Sequence, residues 1–196
     1  MTNGPADQET RGYYIYHAGL NVRNLPASKH FYGKVLGMRE MFTIDYTPSF
    51  SLTYMGFAQG GRNRTGFQTG QELTRDKNNS GGMVKLFHFK DTENELLPST
   101  RKPNTFVNLG LVVPDIVATQ KRLDHYGVKT IKRHGQTTSA PDSGLANATN
   151  IGPESGATVE QVNAVIEGLL TTDFEHILFA EDPDGNMLEI VAQNGF

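Results

Sequence analysis

Apolar residues recur along this chain in two rhythms, every second position and every third or fourth, and the order of the rhythms repeats once. Residues 13–22 (YYIYHAGLNV) are rich in β-forming side chains and predict a strand, closed by Asn24 and Pro26. Apolar positions at 27, 31, 32, 35 and 36 then follow helical spacing, with Gly37 placed to end the helix where positive φ is cheap. Residues 41–46 and 50–57 predict paired strands around Thr47 and Pro48, and 83–89 (MVKLFHF) predict another. The second half runs in the same order. A buried strand is predicted at 106–113 (FVNLGLVV), then a helix from Asp115 to Tyr126 closed by Gly127, then a short strand at 128–131. Strands at 175–180 and 187–192 flank a turn at Asp182-Pro183-Asp184-Gly185. Strand, helix and three strands, read twice, is one module of roughly ninety residues duplicated.

Two stretches interrupt the repeat. Residues 58–82 are polar, rich in Gly, Asn and Arg and without periodicity, which reads as a flap, a partner-contact arm or local disorder. Residues 135–157 are rich in Ser, Gly, Ala and Asn, and 158–170 carry Val159, Val162, Val165, Ile166 and Leu169 on one helical face. The two together predict an insertion at 135–172, placed to act as a lid near the mouth of a site. The organisation read from the chain is a tail at 1–12, a first module at 13–99 and a second at 100–196.

Composition narrows the chemistry. With 196 residues the chain is long enough to bury a core without staples, and with no cysteine it has neither a disulfide framework nor a thiolate nucleophile or ligand. A net charge of −3 without a basic stripe gives no footprint for nucleic acid, and no apolar run approaches a membrane span. The expected setting is cytoplasmic, with a small-molecule partner and neither nucleic acid nor membrane.

The stretch His17-Ala18-Gly19-Leu20-Asn21-Val22, the run Phe31-Tyr32-Gly33-Lys34-Val35-Leu36-Gly37-Met38 and the closing Glu181-Asp182-Pro183-Asp184-Gly185-Asn186-Met187-Leu188-Glu189-Ile190 resemble glyoxalase I and its wider vicinal oxygen chelate superfamily. The resemblance implies an α+β fold of two βαβββ modules whose curved mixed sheet surrounds a central cavity, and a homodimer. It also implies one metal ligand on the first and last strand of each module, which falls on His17, Lys85, Asn108 and Glu189. Of these, His17 and Glu189 match the ligand chemistry of a divalent cation such as zinc, nickel, iron or manganese. Lys85 stands where a carboxylate is expected and Asn108 where an imidazole is. The family's glutathione-holding positions are unmatched as well, with Asn21 in place of a basic residue and Phe89 in place of an asparagine.

Read residue by residue, His17 is a ligand or acid–base group, or else a hydrogen-bonded interior histidine. Glu189, set between Met187 and Val191, is a carboxylate whose burial unpaired is costly and whose desolvated form suits a general base. Lys85 either pairs with Glu189 as a structural ion pair or binds an anionic substrate or enolate. Asn108, Ile15, Phe87 and His176 are the expected substrate contacts. The function these residues predict is a glyoxalase-like lyase or isomerase acting on a small carbonyl compound by proton abstraction and enolate stabilisation. In this reading Glu189, His17 and Lys85 are catalytic, and the chain holds no cofactor or one divalent metal on His17 and Glu189, without a nucleotide. The alternatives are a metal-dependent lactoylglutathione lyase and a non-catalytic small-molecule binding or resistance protein of the same fold.

Overall fold

The computed structural model describes residues 4, 8–90, 95–137, 144–170 and 172–194. Most of the tail expected before residue 8, and residues 138–143 and 171 of the insertion, lie outside the described residues. The chain divides into two compact units, residues 1–25 with 32–92 and residues 26–31 with 93–196.

The first unit is built on a four-stranded sheet. Its strands are β1 (His17–Asn21), β2 (Arg39–Thr47), β3 (Phe50–Gly56) and β4 (Met83–Phe89), in the order β1-β4-β3-β2. Helix α1 (Leu25–Lys29) runs on as a π-helix over His30–Val35, and Gly37 follows at a φ of 88°. β1 pairs with β4 in parallel and the other pairs are antiparallel. The alternation of side chains sends Leu20, Val84 and Leu86 into the core and His17, Lys85 and Phe87 to the other face.

Residues 58–82 are ordered. Thr69 and Glu72 form a reciprocal capping box that starts α2 (Gly70–Arg75), and Leu73 of this helix packs with Met41 and Met83. The segment is therefore a buttress under the edge of the first sheet. One expectation shortens: the strand read at 13–22 begins only at His17. β4 starts at Met83 behind Gly81 and Gly82, so residues further upstream have no ladder to join, and Tyr13 and Ile15 are 79% and 89% exposed.

The second unit repeats the plan with β5 (Asn108–Val113), α3 (Ile116–His125), β6 (Thr130–Lys132), β7 (Leu178–Glu181) and β8 (Met187–Ala192), ordered β5-β8-β7-β6. Asp115 caps α3 by accepting from the Ala118 amide. Between β6 and β7 come α4 (Gly144–Ala148) and the predicted amphipathic helix, α5 (Val159–Leu170). The strand expected from residue 175 is a 3-10 turn over Asp173–His176, and β7 begins at Leu178. The cause is the buried Lys132, whose Nζ donates to the carbonyls of Arg133, Glu175 and Ile177 and sits 4.8 Å from the Phe174 ring. The Ile177 carbonyl is turned to this ammonium, and the Glu175 carbonyl is shared between it and the Gly135 amide. A core of Leu145, Ala148, Phe174, Phe179 and Met187 joins the insertion to the sheet.

Candidate functional site

Each unit places one pair of polar side chains at the same register. In β1 and β4, His17 is opposite Met83 and Gly19 opposite Lys85; in β5 and β8, Asn108 is opposite Met187 and Gly110 opposite Glu189. His17 with Lys85, and Asn108 with Glu189, therefore stand diagonally across a parallel strand pair on one face of their own sheet. The duplicated module puts them there: first strand, last strand, two residues of offset.

In the second unit the pair opens on a cavity of about 360 Å³. Its floor is the sheet face, with Asn108, Phe179, Met187 and Glu189, and its walls come from the insertion, with Leu145, Ala146 and Thr149 from α4 and beyond, and Val165, Ile166 and Leu169 from α5. Asn108 Nδ2 donates to Glu189 Oε2 at 3.0 Å. Among the described residues, Glu189 is the single charged group in a lining otherwise made of apolar side chains, two threonines and this amide. A carboxylate so placed keeps lone pairs free on the cavity side, which suits it to accept a hydrogen bond or a proton from a molecule held there. Phe174 and Ile177, which flank the Lys132 anchor, complete the wall.

In the first unit the pair lies on aromatic ground. The His17 ring meets Tyr16 and Tyr54 edge-on at 4.9 and 5.4 Å, and its Nδ1 is buried with no hydrogen-bond partner among the described residues. Burial, and then the charge of Lys85, push the imidazole below its ordinary pKa, so it is neutral near pH 7. Lys85 Nζ lies 4.8 Å from the Phe87 ring and 5.5 Å from that of Tyr54.

The expected site residues sort accordingly. Asn108 and Glu189 come together in the cavity, and His17, Lys85 and Phe87 come together on the first sheet. Glu189 takes its hydrogen bond from Asn108, while Lys85 belongs to the other unit and sits over rings. Ile15 is corrected: it precedes the strand that was to aim it at the site and is exposed. His176 is corrected too. It ends a 3-10 turn with its side chain toward solvent, 3.6 Å from the Glu175 carboxylate, while its neighbours Phe174 and Ile177 line the cavity. The lining contributed by α4 and α5 was not read as a site, although the apolar face of α5 was the signal for it.

The two pairs do not fit a divalent cation. Beside His17 the cross-strand partner is an ammonium, which repels a cation, and beside Glu189 it is an amide whose NH2 group faces the carboxylate. Among the described residues no group of three or more His, Asp or Glu side chains is gathered as a metal site would need.

Residues 14–141 match the family model of the Glyoxalase/Bleomycin resistance protein/Dioxygenase superfamily. The chain belongs to this superfamily. Among curated proteins, this superfamily member is 26% identical over 163 residues to a lactoylglutathione lyase of Pseudomonas aeruginosa, covering 83% of this chain and 89% of that one. Among solved structures it resembles glyoxalase I of Leishmania major, with a TM-score of 0.50 and 14% identity over 93% of this chain and 88% of the other. Glyoxalase I of Zea mays gives a TM-score of 0.50 and 18% identity over 90% of this chain and 43% of that one. At these identities the solved structures speak for the fold. No helix among the described residues is long and apolar enough to cross a membrane.

Proposed function

We propose that this glyoxalase-superfamily chain is a lyase or isomerase that removes a proton next to the carbonyl of a small substrate held in the second unit's cavity, with Glu189 as the base. The observation that carries the reading is that Glu189 is the single carboxylate among the described residues of a mainly apolar cavity, with a side-chain donor in Asn108. Desolvated and fixed in place, Glu189 takes the carbon-bound proton as the electron pair moves onto the carbonyl oxygen. The second N–H of Asn108 is free to donate to that oxygen as it becomes an enolate. In an α-hydroxy substrate, delivery of the proton to the former carbonyl carbon, with the hydroxyl proton passing to the former carbonyl oxygen, completes an isomerisation; departure of a group with its electron pair from the β-carbon, as the enolate re-forms the carbonyl, completes a lyase reaction. Resemblance within the family adds the setting, a cytoplasmic homodimer.

The test is proton NMR in D2O with hydroxyacetone and related small hydroxyketones. Expected is enzyme-dependent exchange or isomerisation, lowered on the order of 10²- to 10⁴-fold in Glu189→Gln. Binding of these compounds without exchange would support instead a sequestering protein of the same fold, a reading that the almost wholly apolar lining also favours. The identity to the Pseudomonas lactoylglutathione lyase supports a third, metal-dependent reading, but the ammonium beside His17 and the amide beside Glu189 speak against it.

A further inference from the structure

The first unit carries a polar pair that the proposed chemistry does not use. Lys85 makes no ion pair among the described residues, and its ammonium is bracketed by the faces of Phe87 and Tyr54. Such rings hold the cation in position, but they offer no acceptor to its three N–H bonds. Next to it, the His17 Nδ1 is buried with no partner, and a neutral imidazole nitrogen so placed lacks the hydrogen bond that burial demands. One strand over, Gly19 leaves the surface bare: a Cβ there would come within 3.2 Å of Phe87 Cε2, so the Phe87 ring lies across the strand where any side chain would lift it. The aromatic surface continues through Phe50, whose ring stacks 6.4 Å from that of Phe87.

We infer that Lys85, beside His17, forms an anion-binding site, in the place where the family resemblance implied a metal site, and that it takes a planar aromatic carboxylate. The carboxylate accepts from the Lys85 ammonium. The flat body lies against the Phe87 ring, beside the His17 imidazole. A divalent cation would meet the Lys85 charge, whereas a carboxylate is drawn to it. This inference stands apart from the role of Glu189 and holds or fails without it.

The experiment is titration of the full-length protein with salicylate, followed by calorimetry and by the His17 ring resonances, with salicylamide and Ni²⁺ as comparison probes. Salicylate is expected to bind and to shift the His17 resonances, and salicylamide, which lacks the charge, to bind at least tenfold more weakly. Lys85→Gln is expected to weaken salicylate at least tenfold, and Phe87→Leu, which keeps the charge and removes the ring, to weaken it severalfold. Urea unfolding and the dispersion of the amide resonances show that Lys85→Gln is folded. Salicylate affinity unchanged in Lys85→Gln, or stoichiometric Ni²⁺ binding that shifts His17 in the wild type, overturns the inference.

Discussion

Asn108 Nδ2 and Glu189 Oε2 lie 3.0 Å apart across the parallel pair β5 and β8, and each owes its place to the other's strand. Asn108 is thereby a positioning residue for the proposed base. Asn108→Leu should lower kcat roughly tenfold or more with KM changed little, since it removes a donor of about 1–3 kcal/mol to a charged acceptor without altering the cavity's apolar walls. Asn108→Asp should do something different. Two carboxylates in this contact disfavour ionising together, so the acidic limb of the pH–rate profile should move to higher pH. A profile that stays in place with kcat intact would remove Asn108 from the mechanism.

The insertion walls predict a separation of binding from stability. Val165 on α5 lines the cavity yet is 43% exposed, so Val165→Phe should fill the space at little cost to folding and raise KM or abolish ligand binding. Leu145 on α4 lines the same cavity at 3% exposure. Leu145→Ala should destabilise by about 2–5 kcal/mol through lost burial and added void. Denaturant unfolding and ligand titration of the two variants, side by side, check both halves; a Val165→Phe protein with unchanged KM would mean that substrate lies elsewhere.

Lys132 predicts a pH dependence of known sign. Burial lowers its ammonium to about 8 from an ordinary 10.5, with Glu175 opposing the shift. The unfolded chain keeps the proton up to the ordinary value, so between about 8 and 10.5 it binds more protons than the folded chain, and this group's contribution to stability rises with pH. Below that window both states are charged and the full cost of burying the ammonium is present. The stability of the wild type minus that of Lys132→Met, from urea unfolding at pH 7 and pH 9.5, should therefore grow with pH. A flat difference would mean that the folded ammonium keeps its proton throughout.

Much of this was legible in the chain, and the exceptions share a cause. The duplicated module, β4, β8 and α5 were read nearly to the residue because their patterns are local: alternation of size along 83–89 and 187–192, and an apolar stripe from Val162 to Leu169. The partner of Glu189 was not: Lys85 was read for that place, and the structure gives it to Asn108. The failures at Ile15 and His176 are failures of partners. Residues 13–16 are rich in β-formers, but β4 begins too late to pair them, and the residues before Leu178 read as strand until Lys132, distant in sequence, draws on the carbonyls of Glu175 and Ile177. The insertion was read as lying near the mouth of a site, but which sheet residues the apolar face of α5 covers was not, because those contacts are distant in sequence.

The segment 58–82 tests how far local signals go. Thr69, three residues before Glu72, is a capping-box spacing that stood in plain sight in a stretch without periodicity, and both of its hydrogen bonds form: Glu72 N donates to Thr69 Oγ1 at 3.2 Å, and Thr69 N to Glu72 Oε2 at 2.7 Å. Thr69→Ala should cost about 1 kcal/mol. Gly70 is a harsher site. A Cβ there would fall 2.2 Å from the Glu40 carbonyl oxygen, an atom of β2 that has nowhere to go, so Gly70→Ala must push α2 off the sheet edge. That would withdraw Leu73 from Met41 and Met83, a buried contact whose loss belongs with the 2–5 kcal/mol of large-to-small core changes. Gly70→Ala is thus expected to destabilise more than Thr69→Ala, and to speed amide exchange in β2 where Thr69→Ala leaves it nearly unchanged. Equal, small effects from both would mean that α2 is not the buttress its packing makes it.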